Sequence, residues 1–152
     1  MSDKMMRIAA RKPNATATPV SADSDGRVIT NRTWKKVWET IEEGVELRDV
    51  SGYDLPAIDV RDVPLYSLRF LNRLGKPVTV ALKTDVNTTN GYGLCDKDGQ
   101  DIYITIQPNN GYTMVTFNDF PELQWVQYLR MRVRAIEAPT SGVFSAYIVK
   151  VV

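Results

Sequence analysis

Apolar and polar residues alternate along most of the chain after residue 45. The clearest run is "VQYLRMRVRA", in which every second residue is apolar and arginines lie between them. Successive side chains of a β-strand point to opposite faces, so this alternation predicts a strand with one buried face. Four further runs, "LYSLRFLN", "VTVALK", "IYITIQ" and "VFSAYIVKVV", predict strands in the same way. The apolar faces are Leu129, Met131, Val133 and Ala135; Tyr66, Leu68 and Phe70; Val78, Val80 and Leu82; and Ile102, Ile104 and Ile106.

Short polar segments separate these runs and predict turns. "RLGKP" turns around Gly75, "APTSG" precedes the last run, and "NNG" at 109–111 indicates a hairpin. Roughly seven strands at short, even spacing with no helix between them are typical of antiparallel sheets. The sequence therefore predicts an all-β fold, an antiparallel β-sandwich or jelly-roll-like domain, and not a parallel α/β sheet.

The segment "NRTWKKVWETIEEGVEL" has a different spacing of apolar residues. They recur at the intervals i, i+3, i+4 and i+7, which favours a short helix over 33–43. Gly44 provides a helix end. A strand through "KKVWETI" is the alternative. The apolar positions are Trp34, Val37, Trp38, Ile41 and Val45.

Residues 1–32 are mostly small and polar, with few large apolar side chains. Such a segment buries too little surface to offset the entropy of ordering it alone. We therefore expect a flexible N-terminal arm over 1–32 that docks on a partner, followed by a β-sandwich domain over 33–152. The candidate partner-binding residues of the arm are Met5, Met6, Arg7 and Ile8.

Composition excludes several classes of function. The 19 Lys and Arg residues nearly balance the 18 Asp and Glu residues, so the net charge of +1 creates no global field that recruits nucleic acid or an anionic membrane. No apolar run approaches the roughly 20 residues that span a bilayer. We expect neither a membrane nor nucleic acid as a partner.

Catalytic and metal-binding side chains are scarce. The chain has no histidine, and Cys95 is its single cysteine. Nucleophiles activated by histidine and the usual zinc sites of one chain are therefore excluded. The single thiol lies in a Gly-rich loop and forms no internal disulfide. We expect no cofactor and no enzymatic activity.

Arginines form one candidate interaction surface. Arg130, Arg132 and Arg134 share the polar face of one predicted strand, and Arg69 is expected near them. Such a stripe fits a nucleic-acid surface, yet arginines on an outer strand face usually pair across strands. Because arginine is enriched at protein interfaces, an acidic protein neighbour is the favoured partner.

Loop aromatics form a second candidate, a glycan site at Tyr92, Tyr112 and Trp125. Aromatic rings at the end of a sandwich can stack on sugars. The alternative is that Trp125 closes one end of the core.

The loop "DKDGQD" at 96–101 has clustered carboxylates that suit calcium. It lacks the glycine position and the final glutamate of an EF-hand loop. A polar turn with Gly99 at positive φ is therefore favoured.

Two long segments resemble a recurrent β-sandwich domain in structural proteins of tailed bacteriophages. They are "SGYDLPAIDVRDVPLYSLRFLNRLGKPVTVALK" and "VQYLRMRVRAIEAPTSGVFSAYIVKV". The matching positions are Ala57 to Val60, Asn72, Pro77, Val78, Arg130 to Val133 and Ala138 to Gly142.

The resemblance implies a non-enzymatic virion protein, as a capsid decoration, neck or tail component, made in the cytoplasm of the bacterial host. It implies capsid, neck or tail subunits as partners and a homo-oligomer, for which particle symmetry suggests a trimer. A glycan-binding module for host adhesion, carried on the virion, is the alternative function.

Overall fold

The computed structural model describes residues 34–85 and 92–152, in which two antiparallel sheets pack face to face. The predicted all-β sandwich is confirmed. One 3-10 helix, Pro121–Trp125, follows the eighth strand. The strands are β1 (Lys36–Val45), β2 (Gly52–Asp54), β3 (Ile58–Asp59), β4 (Leu65–Asn72), β5 (Val78–Asp85), β6 (Tyr92–Gly93), β7 (Tyr103–Ile106), β8 (Thr113–Val115), β9 (Tyr128–Ala135) and β10 (Phe144–Val151).

The two sheets divide the strands unequally. The four-stranded sheet has the order β1-β10-β4-β8, with β1 and β8 at its edges. In the six-stranded sheet, β5 and β9 pair along their full lengths at the centre. Two short strands share each side of that pair, because β2 and β3 both pair with β9, whereas β6 and β7 both pair with β5.

The hydrophobic core lies between the sheets and uses the apolar faces that the alternation predicts. The rings of Phe70 and Phe144, on the neighbouring strands β4 and β10, stack in this core with centroids 6.0 Å apart. Fully burying one large apolar side chain contributes about 1.5–3 kcal/mol, so these faces dominate the stability of the fold. The side chains with no exposed surface include Leu68, Phe70, Val78, Val80, Leu129, Val133 and Phe144.

The predicted helix over 33–43 is wrong, because Lys36–Val45 is strand β1, paired with β10. Ile41 and Val45 contact the core, whereas Trp38 packs against Tyr147 on the outer face. A spacing of four residues fits the period of a strand as well as that of a helix. Apolar residues on both faces, together with register shifts between Thr40 and Val45, therefore imitate a helical pattern.

The predicted hairpin at 109–111 is also wrong. The strands on either side of it lie in different sheets, since β7 pairs with β5 and β8 pairs with β4. The segment is a crossing between the sheets, in which the Asn109 carboxamide oxygen accepts a hydrogen bond from the Gly111 N–H at 3.2 Å. Asn and Gly favour a tight turn, but they do not specify which strands the turn joins.

Two further crossings, β4 to β5 and β9 to β10, lie against each other. Gly142 has a φ of +84°, and a Cβ there would lie 2.8 Å from the carbonyl carbon of Arg73 and 3.0 Å from the Cα of Leu74. Gly75 has a φ of +73°, but a Cβ there would meet open space. Only glycine fits at Gly142, because the left-handed conformation and the neighbouring backbone both exclude a side chain.

Residues 35–152 form one compact unit. The predicted arm over 1–32 and its candidate residues Met5, Met6, Arg7 and Ile8 lie outside the described residues, so their role stays a prediction. Within the described ranges, no helix is long and apolar enough to cross a membrane.

Candidate interaction surfaces

Three aromatic rings cluster on the outer face of the four-stranded sheet. The ring centroid of Trp38 lies 5.5 Å from that of Tyr112 and 5.6 Å from that of Tyr147, and the two tyrosine centroids are 5.7 Å apart. The Tyr147 hydroxyl donates a hydrogen bond to Glu43 at 2.9 Å. Burial, followed by that carboxylate, raises the pKa of Tyr147. Such ring pairs add about 0.5–1.5 kcal/mol each beyond burial, which holds the cluster in place.

Apolar side chains extend this cluster across the sheet. Leu65 is 48% exposed, and Trp38, Tyr112 and Met114 are each at least 50% exposed. A shallow cavity of about 460 Å³ runs along Leu65 and the outward residues of β10. Scattered apolar residues are normal on a surface, whereas a contiguous patch marks an interaction site. This surface, called the apolar face below, comprises Trp38, Leu65, Tyr112, Met114, Val149 and Val151.

The predicted arginine stripe lies on the outer face of the six-stranded sheet, on β9. Arg132 forms an ion pair with Asp54 at 3.1 Å. A Cβ at Gly52 would lie 2.8 Å from the Nη2 atom of Arg132, so glycine leaves room for the guanidinium. Arg69 does not lie near the stripe, because it belongs to β4 of the other sheet, opposite Met114. The alternation assigns a residue to a face of its strand but not to a sheet.

The structure places two of the three glycan candidates, Tyr112 and Trp125, in different surroundings. Tyr112 belongs to the apolar face, and the described part of Tyr92 is its backbone, which pairs with Thr84. Trp125 is 82% exposed, so the alternative prediction that it closes the core is wrong. It lines a depression of about 400 Å³ with Arg61, Gln124 and Gln127, which adjoins the cavity beside Leu65 at Tyr66 and Phe117.

The acidic loop at 96–101 is a polar turn. The Asp96 carboxylate accepts hydrogen bonds from the backbone N–H groups of Gln100 at 3.0 Å and Asp98 at 2.8 Å, and these bonds lower the pKa of Asp96. Gly99 has a φ of +77°, as the turn prediction requires. No cluster of three metal-ligating side chains occurs in the ranges that the structure describes.

The Cys95 thiol is exposed and lies 3.6 Å from a carboxylate oxygen of Asp101. Partial desolvation, followed by the hydrogen bond to that carboxylate, raises the pKa of Cys95. Thiolates are the reactive form of cysteine, and a raised pKa reduces their fraction at neutral pH. This environment is the reverse of the one that activates a nucleophilic thiol.

Several residues of these surfaces are not among the candidates predicted from the sequence. They are Leu65 and Met114 on the four-stranded sheet, and Lys83 and Tyr103 on the outer face of the six-stranded sheet. The alternation that identifies buried positions also identifies outward ones, so large outward side chains in "VTVALK" and "IYITIQ" carried the signal.

Comparisons with known proteins give little further information. No family model matches the chain, and no curated protein matches it. Among solved structures, the chain is similar to the SPBc2 prophage-derived protein YomS, with a TM-score of 0.47 and 12% sequence identity. The alignment covers 82% of this chain and 99% of that chain. At this identity and TM-score, the likeness carries no argument about function.

Proposed function

We propose that this chain is a non-enzymatic structural protein of a tailed bacteriophage particle, as a capsid decoration, neck or tail component. Its apolar face binds a second copy of the chain in a homo-oligomer, and its N-terminal arm and loops attach that oligomer to neighbouring virion subunits. The sequence resemblance to virion β-sandwich proteins supports the class. The observation that carries the proposal is the apolar face.

The size of the apolar face is suited to such a contact. The whole outer face of the four-stranded sheet, with strands about 4.8 Å apart and about seven residues of 3.4 Å in each, spans roughly 450 Å² in plan. A stable interface buries about 800 Å² on each partner, so the apolar face, which is part of that sheet face, provides at most about half of one. Its three aromatic rings are uncharged, as is typical of the centre of a protein interface, and the cations Lys36 and Arg69 lie beside the apolar side chains.

Particle association tests the function. Lysate from the source is separated on a density gradient, and the chain is quantified by mass spectrometry in every fraction. We expect it to sediment with DNA-filled particles at a fixed copy number, which also separates a shell decoration from a neck or tail part. A chain that remains at the top of the gradient as a small free protein contradicts the proposal.

Self-association tests the surface. Leu65→Glu and Met114→Glu each place a charge on the apolar face, and a buried unpaired charge is strongly unfavourable. We expect the oligomer seen by sedimentation equilibrium to dissociate in both variants. Ile136→Glu is the matched control, because Ile136 is 54% exposed but lies outside the face. A wild-type monomer, or equal association of all three variants, contradicts self-association through this face.

Glycan binding at Trp125 is the second candidate, favoured by the 82% exposure of this ring beside a polar-rimmed depression. It predicts hits on a glycan array and saccharide-dependent quenching of tryptophan fluorescence. Both signals should disappear in Trp125→Ala with the fold unchanged. An array without hits, or quenching retained in that variant, contradicts this candidate.

A further inference from the structure

A groove of about 360 Å³ crosses the outer face of the six-stranded sheet, on the side opposite the apolar face. Its floor consists of small side chains of β5, and taller side chains of β7 and β9 form its walls. The lining residues are Thr79, Ala81, Lys83, Tyr103, Arg132 and Arg134.

The strand register orders these residues into levels along the groove. Thr79 lies opposite Arg134, and two residues further along β5 Ala81 lies opposite both Arg132 and Tyr103. Lys83 follows two residues later, opposite Arg130 of β9 and Gly93 of β6. The groove therefore runs along β5, with a cation at each end and an aromatic wall at its middle.

The charge of the groove is not balanced. Asp54 neutralises Arg132, but Arg134 and Lys83 make no hydrogen bond or ion pair with the described residues. The strand rise places the levels of these two cations four residues, or about 13 Å, apart.

We propose that this groove binds an extended acidic peptide segment of a partner protein, with acidic side chains at positions i and i+4 and an apolar side chain at i+2. In an extended peptide these three side chains point to the same side and span about 13 Å. Arg134 receives one carboxylate in a bidentate pair, Lys83 receives the other, and the Tyr103 ring packs on the apolar residue between them. The inference rests on the proposed function for the nature of the partner, a protein in the same assembly.

Two carboxylates favour a peptide over nucleic acid as the occupant. Asp54 pairs with Arg132 in one wall, and the Tyr103 hydroxyl in the other wall lies 3.5 Å from the Asp101 carboxylate. A nucleic-acid strand carries a charge at every nucleotide and would bring phosphates towards these carboxylates. The acidic peptide places one carboxylate at the Arg134 end and one at the Lys83 end, where the Asp101 carboxylate lies over Gly93, whereas a nucleic-acid strand adds phosphates along the whole groove.

Fluorescence anisotropy tests the proposal on the full chain. The probe is the fluorescein-labelled peptide Gly-Ser-Glu-Thr-Val-Thr-Glu-Ser-Gly, compared with the same peptide carrying glutamine for both glutamates. We expect saturable binding of the acidic peptide, about four- to 25-fold tighter than the neutral one because two charge pairs are lost. Arg134→Gln and Lys83→Gln should each weaken binding about two- to fivefold, as expected for one charge pair at the surface. Arg73→Gln removes a cation in the β4–β5 crossing and should leave binding unchanged.

Several outcomes overturn the proposal. They are the absence of saturable binding, equal binding of the neutral peptide, and unchanged binding in both groove variants. Tighter binding of a single-stranded oligonucleotide that is lost in the same variants assigns the groove to nucleic acid instead. Peptide binding by a chain that never sediments with particles would contradict the proposed function alone, whereas sedimentation without peptide binding would contradict the groove alone.

Discussion

The buried side chain of Asn72 stabilises the β4–β5 crossing between the sheets. Asn72 is the last residue of β4, is 1% exposed, and forms hydrogen bonds through both polar atoms of its carboxamide. Its Nδ2 atom donates to the carbonyl oxygens of Lys76 at 2.9 Å and Ile106 at 3.0 Å, and its Oδ1 atom accepts from the N–H of Leu74 at 3.1 Å. One side chain therefore fixes the β4–β5 crossing and joins it to the end of β7.

The substitution Asn72→Ala removes all three hydrogen bonds. Each is worth about 1 kcal/mol net, and a buried group left without a partner costs about 1–3 kcal/mol. Water reaches the half-buried Lys76, so its carbonyl contributes least. The sum is a loss of about 3–4 kcal/mol in the free energy of unfolding, a large fraction of the 5–15 kcal/mol typical of a domain. Asn72→Asp should cost at least as much at pH 7, because it places a carboxylate against two carbonyl oxygens.

Equilibrium unfolding in urea, followed by circular dichroism, measures these losses. Asn110→Ala is the matched control, because Asn110 is exposed in the 109–111 crossing. It should change the free energy by no more than about 0.5 kcal/mol. A loss below about 1 kcal/mol for Asn72→Ala would refute the reasoning, since it would mean that water or other groups replace all three bonds.

Three further predictions concern single sites. Gly142→Ala should destabilise the fold by about 3–5 kcal/mol in urea unfolding, whereas Gly75→Ala, which has the strained φ without the clash, should cost only about 1–2 kcal/mol; equal losses would contradict the steric argument. The buried Tyr66 hydroxyl donates to the Leu123 carbonyl at 2.9 Å, and burial raises the pKa of Tyr66. Stability should therefore fall as the pH rises above about 10, where the unfolded chain ionises first, and Tyr66→Phe should flatten that fall while costing about 1–2 kcal/mol at pH 7; an unchanged slope would contradict it. The hydrogen bonds from Arg61 hold the pKa of Asp59 at about 2. In an NMR titration, the midpoint of Asp59 should therefore rise towards its usual value in Arg61→Gln. Variants that remove a cation far from Asp59 should leave the midpoint at about 2, and an unchanged midpoint in Arg61→Gln would contradict this account.

The sequence predicts which side of each long strand is buried, because that information is local. Alternation in "VTVALK" and in "VQYLRMRVRA" assigns Val80 and Val133 to the core, and both are fully buried. Pairing between strands depends on residues far apart in the chain, and alternation contains no information about it. The predictions of a hairpin at 109–111 and of Arg69 beside the arginine stripe are wrong for this same reason.

The functional surfaces divide in the same way. The arginine stripe was predictable because its members alternate along one strand, β9. The apolar face and the groove each combine residues of several strands, so their members become neighbours only through the sheet order. Trp38 shows this difference most clearly. The spacing of apolar residues around it predicts a helix, whereas its contacts with the distant residues Tyr112 and Tyr147 belong to the face of a sheet.

The two outer faces of the sandwich should respond differently to salt, and this difference separates their contributions to assembly. Contacts of the surface cations Arg134 and Lys83 are screened as the Debye length falls to about 3 Å at 1 M salt. Burial of the apolar face does not depend on charge, and excluded salts such as sulfate strengthen it. A chain that uses both faces should therefore release an acidic partner at about 1 M salt and keep its self-association. Loss of all association at high salt would place the principal contact on the groove, and the function proposed from the apolar face would then have lost the observation that carries it.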